Sequence, residues 1–198
     1  HKEMLRQVTD FFSIREDIDL DIMVPNQTLE HITSAVLVGM RGVLLELKPD
    51  VLLVQGDTTT VFASSLAAFY AKIPVGHVEA GLRTFNKFSP FPEEMNRTLT
   101  ASLADFHFAP TEASAENLRR EGRDEKQIHV TGNTVVDALL LGRELLGQRD
   151  EHRRRELLTQ AGLAEDAIDR MLGGGSRVIT VTAHRRESFG DPFEQLLL

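Results

Sequence analysis

Short apolar segments alternate with longer helix-like segments along the first two thirds of this 198-residue chain. The apolar segments are residues 51–55, 73–79, 106–109 and 127–133. The helix-like segments are residues 28–47, 60–71, 93–104 and 112–121. Strands that are joined through helices run parallel and form a sheet covered by those helices. The alternation therefore predicts an α/β fold with a doubly wound, Rossmann-like sheet.

The pattern changes after Gly132. Helices are predicted at 134–148 and 151–162, and a glycine-rich loop then precedes a new apolar strand at 177–184. We therefore divide the chain into an N-terminal Rossmann-like domain, residues 1–132, and linker helices with the start of a second Rossmann-like domain, residues 133–198. We expect both domains to be incomplete, with a first strand before residue 1 and most of the second domain after residue 198.

Composition and charge argue against several classes of protein. The 22 Lys and Arg residues are outnumbered by 30 Asp and Glu residues, and the two signs are mixed, which disfavours a nucleic-acid or membrane binder. The chain has no cysteine, so it has neither disulfides nor thiolate metal ligands, and we expect a cytoplasmic protein. No apolar run approaches the roughly 20 residues that a membrane span needs.

Two carboxylates lie at predicted strand ends, where open α/β sheets bind their ligands. Asp57, in GDTTT, follows the segment 51–55, and Glu79, in GHVEAG, ends the segment 73–79. Each also has a simpler interpretation. Asp57 could cap the next helix or form a turn, and Glu79 could form an ion pair with Arg83.

A further pair of acids begins the helix after SPFP. Glu93 and Glu94 occupy its first turn, where the helix dipole favours carboxylates. Their side chains point in different directions, so at most one is expected to face a site, and we assign Glu94 to the helix start. Arg97 could hold either acid, since it lies three or four residues further on.

A basic segment, TAHRRESFG, follows the last predicted strand. His184 and Arg185 at that strand end would suit a diphosphate, although a solvated basic turn fits equally well. Carboxylates on one domain and cations on the other, across a cleft, suit a sugar held by its diphosphate. The residues support acid–base chemistry on a phosphorylated ligand but do not name the reaction.

Five segments together resemble the non-hydrolysing UDP-N-acetylglucosamine 2-epimerase family of bacteria: GDTTT, SLAAFYAKIPVGHVEAGLRT, SPFPEEMNRTLT, VTGNTVVDAL and TAHRRESFG. The resemblance covers nearly the whole chain. It implies two Rossmann-like domains with the site between them, similar to the GT-B glycosyltransferases. It also implies reversible conversion of UDP-GlcNAc to UDP-ManNAc, by elimination of UDP to 2-acetamidoglucal and re-addition. It implies neither a cofactor nor a metal. It further implies a homodimer that serves cell-envelope polysaccharide biosynthesis.

The same resemblance assigns site residues. The catalytic residues it implies are Asp57, Glu79, Glu93 and His184. The substrate-binding residues it implies are Arg97, His184 and Arg185. A regulatory site is implied at His1 and Gln27, but the chain has Glu3 and Asn26 where the family pattern has Gln and Arg.

Two alternatives remain open at this point. A hydrolysing epimerase would release UDP and free ManNAc. A non-catalytic UDP-sugar-binding module would bind the same ligand without converting it. A retaining glycosyltransferase fits less well, because the carboxylate cluster has no obvious use there.

Overall fold

A computed structural model of the protein describes residues 2–148, 150–174 and 177–179. Its strands are β1 Leu52–Gln55, β2 Val75–Val78, β3 Phe106–Ala109 and β4 Ile128–Val130. Its α-helices are α1 Lys2–Phe11, α2 Leu29–Leu47, α3 Thr59–Tyr70, α4 Glu93–Leu103, α5 Glu112–Arg120, α6 Thr134–Gly147, α7 Glu151–Gln160 and α8 Glu165–Leu172. A short 3-10 helix, Glu125–Gln127, precedes β4.

The four strands form one parallel sheet in the order β1-β2-β3-β4. Helices α3, α4 and α5 make the connections, so every described strand ends at the same edge of the sheet. In this register Gln55 lies opposite Val78, so the segments that follow β1 and β2 leave the sheet side by side. The predicted α/β fold with a parallel sheet is confirmed.

One face of the sheet packs against helices. Val54 and Val75 form a core with Leu44 of α2 and with small residues of α3, including Ala67 and Ala68. A second cluster joins β3 and β4 to α4 and α5 through Ala101, Ala109, Ala115, Leu118 and Ile128. Alanine leaves little side chain between backbones, so these helices approach the sheet closely and fix the positions of the loops at its edge.

Side chains alternate across each strand, and the opposite face is less covered. Leu53 of β1 is 61% exposed and Phe106 of β3 is 42% exposed. A Cβ at Gly76 of β2 would lie 2.7 Å from the Leu53 side chain, so Gly76 allows Leu53 to lie across the sheet.

The chain forms two compact units, residues 1–141 and 142–198. In the second, Arg155 of α7 binds Glu165 at 3.1 Å and Asp169 at 2.7 Å, which connects α7 to α8. Helix α8 was not predicted; its N-cap residue, Ala164, makes no side-chain capping hydrogen bond. The domain boundary proposed at residue 132 stays a prediction.

Several earlier predictions fall where the structure gives no description. His1, His184 and Arg185 lie outside the described residues, as does most of the strand predicted at 177–184. Among the described helices, none is both long and apolar enough to cross a bilayer.

Candidate active site

Asp57 lies two residues beyond the end of β1, and Arg97 of α4 holds its carboxylate. Nε and Nη2 of Arg97 both donate to Oδ2 of Asp57, at 3.1 and 2.7 Å. The side chain of Thr58, not of Asp57, caps α3 by accepting from the backbone N–H of Val61. The interpretation of Asp57 as a simple helix cap is therefore wrong, because the neighbouring threonine has that role.

The turn that carries Asp57 is held from two other elements. Asn96 of α4 is buried and donates from Nδ2 to the backbone carbonyl of Asp57 at 2.9 Å. Nε2 of His77, on β2, lies 2.7 Å from the carbonyl oxygen of Gly56. Sequence reasoning missed both residues. A polar side chain on the buried side of a helix or strand was the available signal, since such groups need partners.

Glu79 follows β2 directly and has an unusual backbone conformation. Its φ of 66° lies in the left-handed region, which is uncommon for residues other than glycine and often marks a functional site. Its Oε2 lies 3.6 Å from the position that a Cβ would take at Gly56. Glu79 therefore reaches the turn that precedes Asp57, as expected for carboxylates at adjacent strand ends.

The alternative partner of Glu79 is occupied elsewhere. Arg83 is almost fully buried and binds Glu121 through two hydrogen bonds, from Nε at 2.7 Å and from Nη2 at 2.8 Å. No ion pair between Arg83 and Glu79 occurs in the structure. The interpretation of Glu79 as the partner of Arg83 is wrong, and its carboxylate has no hydrogen-bond partner among the described residues.

The two glutamates that begin α4 have different environments. Glu93 is half-buried, and its side chain makes no hydrogen bond within the described part of the chain. Glu94 is only 3% exposed; its Oε1 accepts from the N–H groups of Thr84 and Phe85, at 3.0 and 2.8 Å. Its Oε2 accepts from Nη1 of Arg97 at 3.2 Å. Glu94 thus lies at the start of α4 as assigned, but its buried carboxylate also holds a loop and Arg97. Glu93 points elsewhere, because consecutive helical side chains point about 100° apart.

Two histidines lie behind this edge, within the sheet. His77 and His107 are register partners on β2 and β3, and both are fully buried. Burial lowers the pKa of His77, and it lowers the pKa of His107 to about 4, with the charges of His77 and Arg123 acting in the same direction. Both rings are therefore neutral at neutral pH and supply no positive charge to the site.

The structure thus brings part of the predicted site together. Asp57, Arg97 and Glu79 meet at one edge of the sheet, and Glu93 lies in the adjoining first turn of α4. Gln27, assigned to a regulatory site, accepts from the backbone N–H of Val24 at 2.9 Å. No cluster of three or more His, Asp or Glu side chains with the geometry to hold a metal occurs within residues 2–148, 150–174 and 177–179.

The arrangement is suited to proton transfer. Oδ2 of Asp57 is engaged by Arg97, whereas Oδ1 has no hydrogen-bond partner in the part of the chain that the structure describes. Asp57, Glu79 and Glu93 therefore each present carboxylate oxygens without a described partner. Such groups can accept or donate a proton when a ligand is placed against them.

Comparison with known proteins identifies the chain's relatives. The model of the UDP-N-acetylglucosamine 2-epimerase family matches residues 1–197. A curated UDP-N-acetylglucosamine 2-epimerase from Salmonella typhimurium is 54% identical over 196 residues, which cover 99% of this chain and 50% of that protein. The chain thus spans about half the length of the curated relatives it matches.

Solved structures agree with the sequence comparison. UDP-GlcNAc 2-epimerase from Neisseria meningitidis, bound to UDP-GlcNAc, is 53% identical with a TM-score of 0.74, over 80% of this chain and 43% of that one. The Methanocaldococcus jannaschii enzyme, in complex with UDP-GlcNAc and UDP, is 41% identical with a TM-score of 0.69, over 75% of this chain and 40% of that one. The chain belongs to the UDP-N-acetylglucosamine 2-epimerase family.

Proposed function

We propose that the full-length protein converts UDP-GlcNAc and UDP-ManNAc into one another by inverting C2 of the sugar. The observation that carries the proposal is the meeting of Asp57, Arg97 and Glu79 at one sheet edge, in a chain of this family. The Neisseria relative was solved with UDP-GlcNAc, and the Methanocaldococcus relative with UDP-GlcNAc and UDP. Those ligands are the ones that we propose for this protein.

The proposed reaction has two steps. In the first, a carboxylate takes the proton from C2, a double bond forms between C1 and C2, and the bond from C1 to the UDP oxygen breaks. In the second, that UDP oxygen adds back to C1, and a proton is delivered to C2 from the opposite face. Two bases on opposite faces are needed, and we assign Asp57 and Glu93 to these roles.

Other residues act on the leaving group and on C1. We assign Glu79 to stabilising positive charge at C1 while UDP departs, since a carboxylate next to a developing cation lowers its energy. We assign His184 and Arg185 to neutralising the diphosphate, and Arg97 to contacting substrate beside Asp57. The guanidinium of Arg97 already binds two carboxylates, which fixes its orientation.

Further properties are proposed on the family resemblance. We propose a cytoplasmic homodimer that binds neither nucleic acid nor membranes. A regulatory site for a second UDP-GlcNAc would include His1 and Gln27. No step of the proposed chemistry calls for a cofactor or a metal, because carboxylates move the proton and UDP leaves with the electron pair of the broken C1–O bond.

Isotope exchange tests the mechanism directly. The full-length protein is incubated with UDP-GlcNAc in deuterated water, and the product sugar is analysed by NMR. We expect UDP-ManNAc with deuterium at C2, because the abstracted proton exchanges with solvent. Product that keeps its original proton at C2 would rule out elimination and re-addition.

Further measurements on the same full-length protein distinguish the alternatives. UDP that accumulates in step with free ManNAc would indicate a hydrolysing epimerase. Binding of UDP by calorimetry, with no sugar isomer formed, would indicate a non-catalytic UDP-sugar-binding module. Either outcome would overturn the proposed reversible epimerisation.

A further inference from the structure

Glu94 is a buried carboxylate for which the proposed chemistry has no direct use. It is 3% exposed and lies in the first turn of α4, next to the proposed catalytic residue Glu93. An ionised carboxylate inside a protein costs free energy unless hydrogen bonds or an opposite charge compensate it. Its partners therefore show what the rest of the structure gains from this side chain.

The two oxygens of Glu94 have separate partners. Oε1 accepts hydrogen bonds from the backbone N–H groups of Thr84 and Phe85, in the loop that follows β2. Oε2 accepts from Nη1 of Arg97, one turn further along α4. Glu94 thus connects the loop after β2 to the guanidinium of Arg97.

Arg97 extends the connection to the proposed catalytic residue Asp57. Its Nη1 binds Glu94, while its Nε and Nη2 bind Oδ2 of Asp57. The guanidinium is rigid and planar, so a partner at one end fixes the direction of the donors at the other. The Arg97 side chain is only 15% exposed, which leaves it little room to turn elsewhere.

We propose that Glu94 is a positioning residue that orients Asp57 through Arg97. The proposal rests on the proposed function, because it assigns Glu94 to the same reaction. Without the Glu94 charge, Arg97 loses the partner that fixes one end of its guanidinium, and its hydrogen bonds hold Asp57 less firmly in its orientation towards C2. Misplacing a reacting group by about 1 Å costs on the order of 100-fold in rate. Substrate binding should change less than the rate, because Glu94 is buried and acts on the site only through Arg97.

The test uses Glu94→Gln in the full-length protein. The amide oxygen of glutamine can still accept from Thr84 and Phe85, whereas its NH2 group faces Nη1 of Arg97 and removes that bond. We expect kcat for UDP-GlcNAc to fall by about 10-fold to 100-fold. KM should change by a smaller factor than kcat, as for loss of an interaction that acts mainly in the transition state. Glu112→Gln, an exposed acid in the first turn of α5, is the matched control and should keep wild-type kcat.

A double variant shows whether Glu94 acts through Arg97. If it does, Glu94→Gln with Arg97→Lys should be no slower than Arg97→Lys alone, because lysine lacks the second donor group that links the two carboxylates. Effects that multiply would show that Glu94 acts independently and would overturn the proposal. A wild-type kcat in Glu94→Gln, or a raised KM with unchanged kcat, would do the same.

The remaining outcomes are also decisive. If Glu94→Gln does not fold, Arg97→Lys tests the same connection while Glu94 keeps its loop contacts, and an unchanged kcat there overturns the proposal. A wild-type protein that forms no UDP-ManNAc would refute the proposed function together with this inference. An active wild type with an equally active Glu94→Gln variant would refute the inference alone.

Discussion

Arg97 donates two hydrogen bonds to a single oxygen of Asp57, across 40 residues of sequence. This contact joins the loop after β1 to the helix that begins with the proposed catalytic Glu93. It leaves the other oxygen of Asp57 without a partner in the described structure, which is the oxygen available for proton transfer. The relationship turns two separate sequence motifs into one site.

Removing either proposed base should stop epimerisation and preserve nucleotide binding. We expect Asp57→Asn and Glu93→Gln each to lower kcat by about 100-fold or more, since general acid–base catalysis contributes that much. Affinity for UDP, measured by calorimetry in the full-length protein, should stay near wild type. Near-normal turnover in either variant would remove that residue from the acid–base role.

The ion pair between Arg83 and Glu121 should matter for stability far more than a surface pair. Glu121→Gln leaves the guanidinium of Arg83, which is 1% exposed, without an opposite charge and should cost about 3 kcal/mol. The control is Glu112→Gln, which removes an exposed partner of Arg119 and should have no measurable effect. Thermal unfolding of the two full-length variants measures both effects. Equal melting temperatures for Glu121→Gln and Glu112→Gln would contradict the expectation.

Gly81 should tolerate no side chain. Its φ is 86°, and a Cβ there would lie 2.2 Å from the backbone oxygen of Ser114. We expect Gly81→Ala to lower the free energy of unfolding by about 4 kcal/mol or more. The backbone near Ser114 would have to move, and an alanine would also hold an unfavourable positive φ. Gly122→Ala is the control, with a φ of 79° and no atom near its Cβ, and should lose only about 1 kcal/mol. Urea unfolding measures the difference; similar losses in both would refute the close contact.

His107 should make stability depend on pH in the acid range. Its pKa is about 4 in the folded protein, because of burial, against about 6.5 in an unfolded chain. As pH falls from 6.5 to 4, the unfolded chain binds a proton that the folded one does not. The free energy of unfolding is therefore not reduced by His107 above pH 6.5. It falls as the pH drops from 6.5 towards 4, by up to about 1.4 kcal/mol per pH unit.

Two measurements check the role of His107. Urea unfolding between pH 7.5 and 4.5 should show a smaller acid loss in His107→Asn than in wild type. The NMR signal of the His107 ring should remain that of the neutral form until the pH approaches 4. A midpoint near 6.5 would contradict the buried environment.

The chain's own periodicity was enough to predict the sheet and the approximate position of each strand-end carboxylate. Asp57 and Glu79 follow short apolar segments, and consecutive parallel strands joined by helices must end at the same edge. These are consequences of local pattern and connection, which a linear sequence displays. Helix α8 escaped prediction because its start lacks a capping side chain.

Partner choice was decided by tertiary structure alone. Arg83 had Glu79 four residues away, yet packing placed it against Glu121 of the α5 end. Glu93 and Glu94 are chemically identical neighbours, and only the packing of α4 against the loop after β2 buries Glu94 on Arg97. The sequence by itself determined which residues carry charge near the strand ends. The tertiary structure decided which of them bind one another, because those distances depend on how elements tens of residues apart pack together.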